Sequence, residues 1–108
     1  MESTVTPEIL VPPLPSKDDV RQTVRTFVAG FANLNVGGVA LTMVLRTPPL
    51  RLDDNQLVFL ATTLRGYVQN FNPAGTVKAA DTRKDGQTVQ GLGDLVFERI
   101  AGQAGVVL

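Results

Sequence analysis

Lys17, Arg21 and Arg25 recur at steps of four, a spacing that stacks three cations along one side of a helix. Arg46 and Arg51 bracket the pair Pro48-Pro49, Arg65 follows, and Lys78, Arg83 and Lys84 stand in a polar stretch. Seven of the ten bases are arginine. The planar arginine fork matches the oxygens of phosphate and carboxylate, so the chemistry open to this set is anion contact, with an RNA or DNA backbone as the extended anion it would fit. Residues 20–52 carry four of these arginines and no acid, although the whole chain has a formal net charge of zero. A single neutral copy would hold nucleic acid weakly. Copies arrayed along a strand would hold it better, because each need neutralise only a few phosphates.

Covalent and acid–base chemistry find little to work with. The chain contains no histidine and no cysteine, which removes the usual proton shuttle near neutral pH, the thiolate nucleophile and every sulfur-based zinc site. Ser3 and Ser16 are the only serines, and neither has a conventional activating base. Lys17, Lys78 and Lys84 stand in polar settings, not in the buried one a lysine nucleophile needs. The acid pairs Asp18-Asp19 and Asp53-Asp54 fall at helix starts, where capping and the helix dipole account for them. Asp81 and Asp85 lack the ligand spacing of a calcium loop. Gly91-Leu92-Gly93-Asp94 lacks the lysine of a phosphate loop and puts an acid where phosphate would sit. The expectation is a protein that is not an enzyme, with no cofactor, no metal and no small-molecule substrate.

The elements that would position the basic residues are legible from caps and periodicity. Ser16 is a helix N-cap with Asp19 three residues on, and Val20, Val24, Phe27, Val28 and Phe31 form one apolar stripe. Asp53 and Gln56 make a capping box with Leu52 and Leu57 as a staple, and Leu57, Leu60, Ala61, Leu64, Tyr67, Val68 and Phe71 line one face of a helix of about five turns. Asp94 reads as the cap of a last helix carrying Leu95, Val96, Ile100 and Ala104. Residues 39–45 form an apolar run too short for periodicity to separate helix from strand, with a lean toward helix. Residues 76–91 read as a polar, mobile loop, with a small hairpin about Asp85-Gly86 as the lesser alternative.

The predicted fold is therefore mainly α: a small bundle of three to four helices over residues 16–108, preceded by an extended proline-rich arm over residues 1–15. The arm holds Val11-Pro12-Pro13-Leu14-Pro15, and its apolar Ile9, Leu10, Val11 and Leu14 call for a surface to lie on. Val106, Val107 and Leu108 make the same demand at the other end. No stretch has the length and apolarity of a membrane span and no signal peptide is visible, so a cytoplasmic-type compartment or a virion is expected, with no membrane partner.

With 44% hydrophobic and 19% charged residues, the chain has the composition of one folding domain. The expected function is that of a self-assembling structural subunit whose partners are copies of itself, in the general manner of viral and phage coat proteins that package or coat nucleic acid. No family motif accompanies this analogy of design. The alternative is a helical protein–protein interaction module, an adaptor or regulator.

Overall fold

The computed structural model describes residues 14–107, and side chains as far as residue 102. Among these described residues four α-helices appear in the order α1 (Lys17–Ala32), α2 (Asp54–Gln69), α3 (Ala79–Arg83) and α4 (Val89–Val107), with one short 3-10 turn at Val36–Gly38. Among the described residues there is no strand, only an isolated antiparallel bridge between Val44 and Thr88. The molecule is a small helical bundle.

Each long helix starts where local chemistry satisfies its free N–H groups. The Ser16 hydroxyl accepts from the Asp19 N–H at 3.1 Å and opens α1. At α2 the Asp53 carboxylate accepts from the Gln56 N–H at 2.8 Å while Gln56 Oε1 accepts from the Asp53 N–H at 2.9 Å, a complete capping box. Asn33, in the left-handed conformation at φ 60°, closes α1. The α2 helix stops at Gln69, so Phe71 lies just beyond it.

The apolar stripes converge on one core. Val20, Val24 and Val28 of α1, Leu57, Leu60, Leu64 and Val68 of α2, and Val89, Leu92, Val96 and Ile100 of α4 are all buried. Each such side chain contributes about 1.5–3 kcal/mol relative to leaving it in water. The α1 helix packs chiefly on α4, and α2 on α3. Close approach of α1 and α4 depends on Gly93, where a Cβ atom would stand 3.1 Å from Arg21 Cα.

Three expectations from the sequence are corrected here. Residues 39–45 are neither helix nor strand: they form an irregular crossing strapped to the start of α4, with Leu45 N–H donating to Gln87 O and Met43 O and Leu41 O accepting from Val89 and Gln90 N–H. Val39 and Leu45 are buried by this crossing, which explains the apolar run without regular structure. Residues 76–91 are not one loop or a hairpin. They hold α3, the buried Thr82 and Gln87, and the first turn of α4. The Thr82 hydroxyl donates to Leu57 O at 2.8 Å and Gln87 Nε2 donates to Asp81 O at 2.9 Å, so this polar stretch is ordered by hydrogen bonds rather than by apolar periodicity. Asp94, finally, does not cap the last helix, which begins five residues earlier; the Thr88 hydroxyl accepts from Gly91 N–H at 2.9 Å in its place.

Candidate functional site

The α1 helix turns Thr26, Phe27, Gly30 and Phe31 around a shallow open hollow of about 300 Å³. Phe27 and Phe31 are half-buried, packed by their inner edges against the core. Gly30 is exposed among these lining residues, and a Cβ there would meet nothing within 4 Å. Beside the hollow an aromatic ladder continues onto α2, with Phe27 edge-on to Tyr67 at 6.2 Å and Tyr67 edge-on to Phe71 at 5.5 Å. Gln56 fixes the far end of α1 by donating from Nε2 to Phe31 O at 3.0 Å. The hollow is therefore held by the α2 capping box and the aromatic ladder.

A second apolar surface lies on the outer side of α2. Phe59 is 62% exposed and Val58 39% exposed, beside the exposed Thr62 and Gly66. Gly66, like Gly30, has open space where a Cβ would be. Leu34 and Val36, just past the end of α1, are exposed as well. Large apolar side chains grouped on a surface mark contact sites more often than singly scattered ones do.

The basic residues are not gathered into one patch. Arg21 Nε meets Asp94 Oδ1 at 2.7 Å, with Asp18 at 3.9 Å from its Nη1. The hydrogen bond to Asp94 raises the pKa of Arg21 above its usual value, and the same bond holds the Asp94 carboxyl below the usual carboxylate range against some desolvation. Arg25 donates to Val39 O and to Gln22 Oε1, and the Lys17 ammonium stands 5.9 Å over the Phe97 ring. The stack of like charges is thus relieved within the chain, by partners from α4 and the crossing that its four-residue spacing does not reveal. Arg46 at 2.8 Å and Arg83 at 3.5 Å share Asp54, and the bond from Arg46 lowers the Asp54 pKa. Arg51, Arg65, Lys78 and Lys84 are exposed, and among the described residues their side chains have no polar partner. Arg51 stands at φ 49°.

Of the apolar residues expected to mediate assembly, Leu14 is described and 49% exposed. Ile9, Leu10 and Val11 lie outside the described residues, as do Leu108 and the side chains of Val106 and Val107. Phe27 and Phe31, expected in the core stripe of α1, are half-buried against the core, whereas the exposed Val58 and Phe59 belong to no expectation drawn from the sequence. On α2 the core stripe centres on Leu57, Leu60, Leu64 and Val68, and at 100° per residue Phe59 falls well off that stripe. Its type at that position was the available signal.

Among the described residues no group of histidine, cysteine, aspartate or glutamate is arranged to hold a metal ion, and no helix is long and apolar enough to cross a membrane. No protein-family model matches the chain, and neither a curated protein nor a solved structure does.

Proposed function

We propose that this protein is a non-enzymatic, self-assembling structural subunit, of the coat-forming kind, whose principal partner is a second copy of itself. The observation that carries the reading is the bare apolar face of α2: Phe59 and Val58 stand in water on a helix whose other side is fully committed to the core. Covering what remains exposed of the two side chains contributes a part of the roughly 1.5–3 kcal/mol that full burial of each would give, and a formal net charge of zero sets no long-range repulsion against it. The hollow on α1 supplies a second, different apolar surface. Two unlike surfaces on one subunit favour head-to-tail contacts, which close into rings or propagate as filaments.

Nucleic acid is the proposed second partner, through Arg51, Arg65, Lys78 and Lys84, whose side chains have no polar partner among the described residues. Each would add one salt-sensitive phosphate contact per copy, so binding follows assembly rather than driving it.

Sedimentation velocity on the full chain and on Phe59→Ser tests the reading. The wild type is expected to sediment as large species whose 260 nm absorbance falls after nuclease treatment, and Phe59→Ser as smaller ones with unchanged helical circular dichroism. Large species indifferent to nuclease would remove the nucleic-acid part. A wild-type chain that stays at 11.6 kDa at every concentration would overturn self-assembly and leave the interaction module in its place.

A further inference from the structure

We infer that Arg46 and Arg83 form a seat for a phosphate group of a nucleic-acid strand, with Asp54 as the internal anion that holds the two arginines until the phosphate takes its place. The inference rests on the nucleic-acid part of the reading above and says where on the molecule the strand is held.

The ten bases form no single patch, yet four that are scattered in sequence are brought to one corner. The Val44–Thr88 bridge and the bond from Leu45 N–H to Gln87 O lay the chain just before Arg46 against the turn that follows α3. That turn closes by Gln87 N–H donating to Lys84 O. Leu52 N–H donates to Leu45 O and Arg51 N–H to Thr47 O, which sets the Arg51 backbone beside that of Arg46. Asp54 opens α2 at the same corner, and its Oδ1 stands 2.8 Å from Arg46 Nη2 and 3.5 Å from Arg83 Nε.

One carboxylate oxygen thus serves two cations. Among the described residues neither fork meets another acid, although each guanidinium carries five N–H donors. Both arginines and Asp54 remain exposed. A phosphate group offers more oxygens than the one shared here and bonds planar forks in pairs. Ion pairs this open to water are individually weak, so an incoming phosphate displaces Asp54 at small cost.

Arg51 points the same way independently. It stands at φ 49°, in the left-handed region that glycine or asparagine occupies more easily. Its side chain is exposed and has no polar partner among the described residues, so nothing in that set accounts for an arginine there. Strained backbone gathers at ligand clamps, and a contact to the next phosphate of the same strand would account for this one. Along the chain the four bases are flanked by the acids Asp53, Asp54 and Asp85, and Asp53 is engaged by Gln56 N–H. The small positive excess suits a strand held firmly only by arrayed copies.

The test is fluorescence anisotropy of a short labelled single strand, as DNA and as RNA, titrated with the full chain across a salt series. Arg46→Gln and Arg83→Gln should each weaken binding and flatten the slope of log affinity against log salt by about 0.7. Asp54→Asn decides, because a phosphate seat and a purely structural ion pair predict opposite signs. It removes the competing anion, so binding should tighten about threefold beyond Glu98→Gln, which makes the same charge change at an exposed position of α4. Helical circular dichroism verifies that each variant is folded. Binding by Asp54→Asn that is no tighter than by Glu98→Gln would overturn the inference. So would Arg46→Gln and Arg83→Gln chains that bind as the wild type does, and the nucleic-acid reading would then stand with the strand held elsewhere. A wild type that binds no strand at low salt would overturn both. A melting temperature then raised by inorganic phosphate, and not by chloride of equal ionic strength, would give the seat to a small anion instead.

Discussion

The seam between α1 and α4 and the outer face of α2 are built from similar residues to opposite ends. Along the seam the buried valines of α1 meet Leu92 and Val96, Gly93 stands where a side chain would strike Arg21, and Arg21 itself is paired with Asp94. On α2 the glycine at position 66 faces open space, and the apolar side chains beside it, Val58 and Phe59, face water. The difference lies in whether the monomer explains its own residues. Gly93 and the Arg21–Asp94 pair have their reason in the seam, whereas among the described residues Gly30 and Gly66 face open space and Phe59 is exposed. The self-assembly proposed above would give these residues a role in a contact between copies.

Substitutions on the two sides of one helix break this comparison most sharply. Leu64→Ala, at a fully buried position of α2, should cost about 2–5 kcal/mol of stability, whereas Phe59→Ala should change it by less than about 0.5 kcal/mol. Denaturant unfolding of dilute protein reads both. A large loss at Phe59 would move it into the core and remove it from the contact surface.

The two kinds of glycine come next. Gly93→Val forces α1 away from α4 and should cost about 1–3 kcal/mol, while Gly30→Ala, with open space around it, should gain up to about 1 kcal/mol from helix propensity. Equal effects at both positions would erase the distinction.

Asp53→Ala sharpens it by loosening the capping box that ties α2 to Phe31, at about 1 kcal/mol by thermal melting. The smallest effect is expected from acid. The Asp94 and Asp54 carboxyls are held low in the folded chain. Their contribution is therefore complete above the unfolded carboxylate value of about 3.9 and fades as pH falls through the folded ones. Melting temperature should stay flat from neutral pH to about 5 and drop below about 4, with Asp94→Asn removing part of the drop. The Arg46–Asp54 pair is the more exposed of the two, and solvent screening keeps its share modest.

What could be read from the sequence was what rests on neighbours along the chain. Ser16 and the Asp53–Gln56 box declared the starts of α1 and α2, and the valine and leucine stripes declared their buried faces. What could not be read rests on contacts distant in sequence. The Val39–Leu45 run is shaped by Thr88 and Gln87, more than forty residues on, so its own composition left helix and strand open. Gly91 and Gly93 looked like an interruption before a helix capped by Asp94, yet packing on Arg21 carries α4 straight through them. The same pairing took Arg21 out of the basic stripe. A cation's availability depends on whether an acid from another element reaches it, and spacing along one helix does not report that.

The central claim is that the surfaces left bare in one copy are covered by another. The most direct measurement is the molar mass of the full chain by light scattering across a wide dilution series, with protein concentration taken from refractive index because the chain has one tyrosine and no tryptophan. The account predicts a mass several times 11.6 kDa that falls on dilution and is lowered in Phe59→Ser and Gly30→Leu. A single mass of 11.6 kDa at every concentration would contradict it.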